Sequence, residues 1–378
     1  LYAFGDTEAA LDIWNQLAEG EDRWARVRSE RALIQHRLED GRITPKQAAD
    51  RLDELRYAWR GDRVEFELLR DLGRLRLEEN EFEEGLAALR QSVTFFPDNP
   101  ESRDLAFELT EAFSDIFTSG VAEAMTPLQA LALYDEFKEL TPAGARGDEM
   151  IRNLADKLVE VDLLDRAAEI LKAQVQFRLE GEEKARVGSR LGLIYTLAED
   201  YQRALEVLQG TNEPNLPQDL VDQRRHLRAQ ILAGMNQAGD ALALLQEDES
   251  EAAELLRMEI FWNRGEWREA AKSLRLLVKM SGAKPDLPVT ETQATRLINY
   301  AIALTNSGGE RAVSQIKSEF GPAMAGTKFA EAFELVTAPA EIGTLDPGRV
   351  TAKVKEVETF LTAYRDKLKD GVPLSSLN

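Results

Sequence analysis

The sequence predicts an all-α protein built as an array of stacked helix pairs, and three observations predict it. Three consecutive 37-residue segments, starting at Asp148, Ala185 and Asp222, superimpose without a gap. Small residues recur in two columns, Ala155/Gly192/Ala229 and Ala167/Ala204/Ala241, and large apolar residues in two more, Leu158/Tyr195/Leu232 and Leu171/Leu208/Leu245. Almost no segment alternates apolar and polar residues as a strand does; the apolar positions recur at helical spacing. The helical runs are also punctuated by proline, as at Pro97 and Pro142, which has no amide hydrogen to continue a helix. A repeat in this size range marks stacked copies of one supersecondary unit, and such an array works by displaying surface.

The elements follow in order. Ala10, Trp14 and Leu17 share one helical face, and the stretch from Phe4 to Leu11 reads as the turn and second helix of a pair. The chain is therefore expected to start inside a repeat of a longer protein. From Asp22 to Trp59 comes a pair with a long first helix and an extended turn at "DGRITPKQ". The clearest single unit runs from Phe66 to Asn99: Leu69, Leu72, Gly73 and Leu77 line its first helix, Asn80 sits at the bend, and Phe82, Gly85, Leu89 and Ser92 line the second. The pair from Glu101 to Pro142 bends through "SGVAEAMTP", and the three 37-residue units follow it. After Ser281 the register loosens, with loops at "SGAKPDLPVTE" and "TAPAEIGTLDPG". Asp346-Pro347 then reads as a helix start. The stripe Val350, Val354, Val357, Leu361, Tyr364 and Leu368 predicts a C-terminal capping helix. Residues 1–338 are thus assigned to the array, and 339–378 to a linker, the capping helix and a short tail.

These units resemble the tetratricopeptide repeat, a helix-turn-helix of about 34 residues with small residues at fixed positions in both helices. Gly73, Gly85 and Pro97 match it in one unit, and Gly192, Tyr195, Tyr201, Ala204 and Leu208 in another. Gly265, Trp267, Ala270 and Leu274 match the turn and second helix of a third; Ala130, Tyr134, Phe137 and Pro142 match the second half of a fourth. Arg76 departs from the pattern, standing where it prefers tyrosine. The resemblance implies a right-handed superhelical solenoid, here of about eight or nine antiparallel helix pairs. The stretches "LRYAWRGD", "GDEMIRNLADKLVEVDLLDRAAEIL" and "KARVGSRLGLIYTLAEDYQRALEVL" are also similar to large exported repeat proteins of Gram-negative bacteria. That likeness implies a periplasmic or envelope-associated location.

Charge and composition exclude several classes. The chain of 378 residues carries 47 basic and 68 acidic side chains, a net charge of −21. Such a field opposes generic nucleic-acid binding and adsorption to anionic lipid. It favours a protein or peptide partner, or a basic segment of one. No apolar run reaches the ~18–20 residues of a membrane helix. Cysteine is absent, which removes disulfides, thiolate metal sites and cysteine nucleophiles; this suits an oxidising compartment and is compatible with the cytosol.

Catalytic and cofactor signatures are missing as well. His36 and His226 are the only histidines, too few for a zinc site of clustered ligands. Neither a phosphate loop nor a nucleophile elbow is present. The run Glu247–Glu251 lacks the glycine-punctuated spacing of a calcium loop and reads as an inter-repeat loop. Arg60-Gly61-Asp62 reads as a turn. Trp267 occupies a core position of the repeat, whereas Trp262 is free to face a groove. In arrays of the resembled kind, the first helix of each pair lines the concave surface. Carried over by register, its groove-facing positions include Arg70, Arg74, Arg152, Asp156, Ser189, His226, Gln230 and Glu259. The lysine and asparagine set of the chaperone-tail carboxylate clamp is missing. The expected function is a non-enzymatic interaction scaffold. A helical-repeat enzyme or glycan-binding module needs two converging carboxylates, and a self-assembling structural array is the third possibility. Ala204 tests the register: Ala204→Phe is expected to destabilise the fold by about 1–3 kcal/mol through overpacking, measured by urea denaturation.

Overall fold

The computed structural model of the chain describes residues 6–338. Among them are eighteen α-helices and two short 3-10 turns, with no strand. The predicted capping helix lies outside the described residues. The chain divides into two compact units at Asp162/Leu163, within the stretch that the sequence reads as one array.

The N-terminal unit contains α1 (Thr7–Ala18), α2 (Arg23–Glu39), α3 (Pro45–Leu55), α4 (Asp62–Glu78), α5 (Phe82–Phe95), α6 (Ser102–Thr118), α7 (Pro127–Phe137) and α8 (Ala145–Glu160). Consecutive helices pack from α1 through α6, and α8 packs on both α6 and α7. The C-terminal unit contains α9 (Leu164–Phe177), α10 (Gly181–Leu197), α11 (Tyr201–Gly210), α12 (Gln218–Gly234), α13 (Ala238–Leu245), α14 (Glu251–Asn263), α15 (Trp267–Met280), α16 (Glu291–Asn306), α17 (Glu310–Met324) and α18 (Ala330–Val336). Here too each helix packs on the next, and α10, α12 and α14 also touch in succession.

One turn joins consecutive helices again and again. Asn80, Asp162, Glu199, Asn236, Gly265 and Gly308 all adopt left-handed backbone, with φ between 59° and 75°. Asp162, Glu199 and Asn236 are spaced by the 37-residue period. The residue after each has φ between −81° and −101° and ψ between 51° and 68°, and the next helix starts directly behind it. At five of these turns the left-handed residue donates its N–H to the carbonyl three back, at 3.0–3.1 Å, and its successor donates to the carbonyl five back, at 2.8–2.9 Å. This double bond pattern satisfies the open carbonyls of a helix end and reverses the chain. Asp6, ahead of α1, has the backbone angles of the same second position, φ −88° and ψ 73°.

Where the turn differs, threonine restarts the helix. After Gly41 the chain runs on to Thr44, whose hydroxyl caps α3 while Gln47 reaches back to the Thr44 amide. Thr126/Gln129 ahead of α7 and Thr290/Gln293 ahead of α16 form the same reciprocal pair. All three read Thr-x-x-Gln in the sequence, the spacing of a capping box.

The repeated columns are interior. Ala155, Ala229, Ala167, Ala204 and Ala241 are all 0% exposed, and Leu158, Leu171, Leu208, Leu232, Leu245 and Tyr195 are buried. Small residues are required where two helices approach closest. A Cβ on Gly73 of α4 would lie 2.6 Å from Leu89 and 2.9 Å from the Gly85 carbonyl of α5; one on Gly85 would lie 2.8 Å from Leu77. Gly192 is looser, with Leu208 3.4 Å from the same point. Ser92 of α5 donates to the Phe66 carbonyl of α4 at 3.1 Å, tying the pair together in its buried seam. Gly73→Ala is therefore expected to destabilise by about 1–3 kcal/mol despite the better helix propensity of alanine. Gly192→Ala is expected to be neutral or to stabilise by up to ~1 kcal/mol, both measured by urea denaturation.

Candidate binding surface

The eight positions carried over by register fall into four environments. In the N-terminal unit, Arg70 and Arg74 sit on α4 and are already paired. Arg70 donates to Asp71 at 2.9 Å and to Glu101, ahead of α6, at 2.5 Å. Arg74 grips Glu108 of α6 with two parallel hydrogen bonds of 2.7 and 2.6 Å, and these hold its guanidinium above its ordinary pKa. Arg152 and Asp156, about one turn apart on α8, are partly buried and neither is free.

Those pairs belong to a ladder across successive first helices. Arg31 of α2 reaches Glu67 and Asp71 of α4, at 2.5 and 2.9 Å. Arg146 of α8 reaches Asp115 of α6 at 2.5 Å and also pairs with Glu111. Burial would push the Glu67 carboxyl up, but Arg63 and Arg31 hold it below its ordinary value. The partners of Arg31, Arg74 and Arg146 lie 31–40 residues away in sequence, about one repeat. The register does not reveal that the arginines at these positions are neutralised within the chain. Arginine on one first helix with carboxylates about one repeat away was the available signal.

In the C-terminal unit Ser189 is interior, 1% exposed. Its hydroxyl donates to the Ala185 carbonyl at 2.8 Å and accepts from Arg224 at 2.9 Å. Arg224, itself buried, also donates to the carbonyls of Ala185 and Leu208, both at 2.6 Å, and to Thr211 at 3.3 Å. None of these acceptors is charged. Burial pushes the guanidinium down from its ordinary value, yet arginine stays protonated in proteins. The end of α11, with its open carbonyls and negative dipole end, is a suitable counterpart. The arrangement recurs: Arg257 of α14 donates to the Leu245 carbonyl at the end of α13, at 2.5 Å, and Arg296 of α16 to the Leu277 carbonyl in the last turn of α15, at 3.3 Å. Thus α12, α14 and α16 each staple the end of the helix before them.

His226 and Gln230 lie about one turn apart on α12, both half-buried. His226 Nε2 is 2.7 Å from the Asp248 carboxylate, which also accepts from Arg225 at 2.5 Å and from the Ser250 amide at 2.9 Å. Burial alone would raise the Asp248 pKa, but hydrogen bonds from Ser250, His226 and Arg225 hold it well below the usual carboxylate range. The acidic run Glu247–Glu251 is therefore a loop leading into α14, organised around the half-buried Asp248 carboxylate. Glu259 is exposed on α14, and its charge, with burial the larger cause, raises the Tyr201 phenol.

Other singled-out residues are structural. His36 is buried, 8% exposed, and 3.3 Å from Asp40. Trp262 packs edge-on against Trp267, ring centroids 5.1 Å apart, instead of standing free. Gly61 and Asp62 form the start of α4, where Asp62 accepts from the Val64 amide at 2.7 Å and the Trp24 indole at 3.0 Å.

A cleft of about 230 Å³ opens among α3, α4, α5 and α7, outside the positions the register selects. Leu72, Ala87 and Ala88 contribute apolar lining, and Asp53, Glu83, Glu84 and Glu136 contribute carboxylates. Asp53 is paired with Arg56 and Glu136 with Arg90. Glu83 and Glu84 are exposed and make no ion pair among the described residues. Among the described residues no cluster of three or more histidines or carboxylates is arranged to hold a metal, and no helix is long and apolar enough to cross a membrane. The chain matches no protein-family profile and no curated protein sequence.

Two substitutions separate the polar features. Arg224→Met is expected to destabilise by about 2–3 kcal/mol, by a similar amount from pH 5 to 9, because the guanidinium does not titrate there. Asp248 has a depressed folded pKa, so its stabilisation is complete above the ordinary carboxylate pKa of about 4 and is lost as pH falls through the folded value. The stability gap between wild type and Asp248→Asn should be full at pH 7 and shrink below about pH 4, read from urea midpoints across pH.

Proposed function

We propose that this chain is a non-enzymatic interaction scaffold, a right-handed superhelical solenoid of about eight or nine tetratricopeptide-like helix pairs that holds a protein or peptide partner in an envelope-associated assembly. The observation that carries this reading is the recurrence of one turn at six helix junctions, three of them in register with the 37-residue sequence period. A chain assembled from one repeated unit devotes its sequence to a continuous surface. The polar chemistry agrees with that use. The buried Arg224 and the half-buried Asp248 are engaged in holding helices together.

The surface favours a partner recognised by charge pattern. Arg70 and Arg74 present guanidiniums already bonded to carboxylates, so an incoming segment exchanges ion pairs there instead of meeting bare charge. The open Glu83 and Glu84, at a cleft whose lining mixes apolar and charged side chains, suit a basic side chain. The test is a photo-crosslinking residue at position 74 or 230, with position 94 on α5 as the outward control, in the full-length protein in its native cells. Positions 74 and 230 are expected to yield a defined set of protein partners above the control. Capture at 94 alone would overturn the first-helix face, and capture at none of these positions nor at position 276 of α15 would overturn the scaffold.

A further inference from the structure

The helix α15 carries an aligned row of cations. Arg268, Lys272, Arg275 and Lys279 recur at i, i+4, i+7 and i+11, which places them within an arc of about 60° along some 17 Å of helix. All four are exposed. Only Lys272 has a carboxylate partner, Glu269 at 2.7 Å; Arg268, Arg275 and Lys279 make no ion pair among the described residues. Arg31 of α2, Arg74 of α4 and Arg146 of α8 are each neutralised by acids of neighbouring helices. Other open cations, such as Arg51 of α3, Arg103 of α6 and Arg228 of α12, are single on their helices; on α15 they line up along one face.

Beside the row lies an apolar edge. Leu276 and Met280, one turn apart, are 49% and 43% exposed, and Leu287 in the following loop is 55% exposed. The core-facing side of α15 is filled separately by Ala270, Leu274 and Leu277, each at most 1% exposed. The helix therefore satisfies the core with one face and presents a second, basic and apolar face outward.

We propose that this face docks an acidic amphipathic helix of a protein partner. The inference rests on the scaffold reading and assigns it a partner class on a second-helix surface. Cations at one-turn spacing match carboxylates at the same spacing on a facing helix, and Leu276 and Met280 supply the apolar contact that fixes register. A lipid surface fits less well. A membrane-lying helix buries its broad apolar face, and here that face is occupied by the core, while the net charge of −21 opposes anionic lipid. The same charge opposes nucleic acid, whose phosphates extend beyond any one patch.

The experiment places a photo-crosslinker at position 276 of the full-length protein in its native cells and sequences the adducts. Purified protein is titrated in parallel with a synthetic helical peptide carrying glutamates at i, i+4, i+7 and i+11 beside a leucine edge. A shuffled peptide of equal composition, phosphatidylglycerol vesicles and duplex DNA serve as competing probes. The expected adduct is one acidic segment of a partner protein. The patterned peptide should bind at least about tenfold tighter than the shuffled one, and Lys272→Glu with Lys279→Glu should weaken it by about tenfold or more. Leu276→Ser, which keeps every charge, should weaken it as well. Equal binding of both peptides, indifference to the substitutions, or adducts with lipid, nucleic acid or the chain itself would each overturn the inference. Capture at 74 and 230 with none at 276 would remove this docking face and leave the scaffold standing.

Discussion

A helix that ends on a single left-handed residue and restarts one residue later can turn back in only one way. The two backbone hydrogen bonds at Asn80, Glu199, Asn236, Gly265 and Gly308 lock that reversal without any side chain, and the rest of the packing depends on it. Once the second helix runs antiparallel from a fixed starting point, its opening turn faces a fixed turn of the first. That is where Gly73 meets Gly85 and where Ala204 and Ala241 are wholly enclosed. The small-residue columns are a consequence of the turn. Glutamate at position 199 and aspartate at 162 take a conformation that favours glycine or asparagine, so the geometry is imposed even where the residue resists it.

Successive pairs are joined by different physics from that within a pair. Inside a pair the contact is apolar and close. Between pairs, polar bonds supplement it, and they use the helix ends. In the C-terminal unit Arg224, Arg257 and Arg296 each reach the closing carbonyls of the preceding second helix, so one residue type both satisfies orphan acceptors and sets the spacing to the next pair. In the N-terminal unit the same task falls to the ion-pair ladder from α2 through α8. Exposed pairs of that kind contribute at most about 1 kcal/mol each, whereas a buried guanidinium fully engaged with carbonyls is expensive to remove. The two units are thus tuned differently by the same amino acid.

Much of this was legible. Spacing and residue size located the helix pairs, because a column of alanines at a fixed period has few explanations other than close helix contact. The turn at Asn80 and the break before Pro97 follow from local chemistry alone. The three Thr-x-x-Gln starts were equally local and were readable by the capping pattern, although hydrophobic register does not pick them out. What the register could not reveal was pairing across the repeat. Placing Arg74 on a first-helix face says nothing of Glu108 beside it, since the offset between neighbouring pairs is a tertiary quantity. Ser189 shows the same limit from the other side: its helical position is that of a groove residue, but Arg224 from the next repeat folds over it. Trp262 faced an aromatic neighbour five residues away, and only the geometry of the bend at Gly265 brings the two rings edge to face.

The arginines and lysines therefore sort into three physical kinds. Buried guanidiniums on neutral acceptors, such as Arg224, are committed to the fold, because exposing them would strand carbonyls at a helix end. Half-exposed guanidiniums on carboxylates, such as Arg31 and Arg70, are committed to neighbouring helices but can exchange partners at modest cost. The open row on α15 is committed to neither. Elsewhere open cations such as Arg51, Arg103 and Arg228 are single on their helices; on α15 they are aligned. Keeping four cations in line on one helix, three of them with no carboxylate among the described residues, with two exposed apolar side chains at their edge, is a pattern that folding of this chain alone does not require.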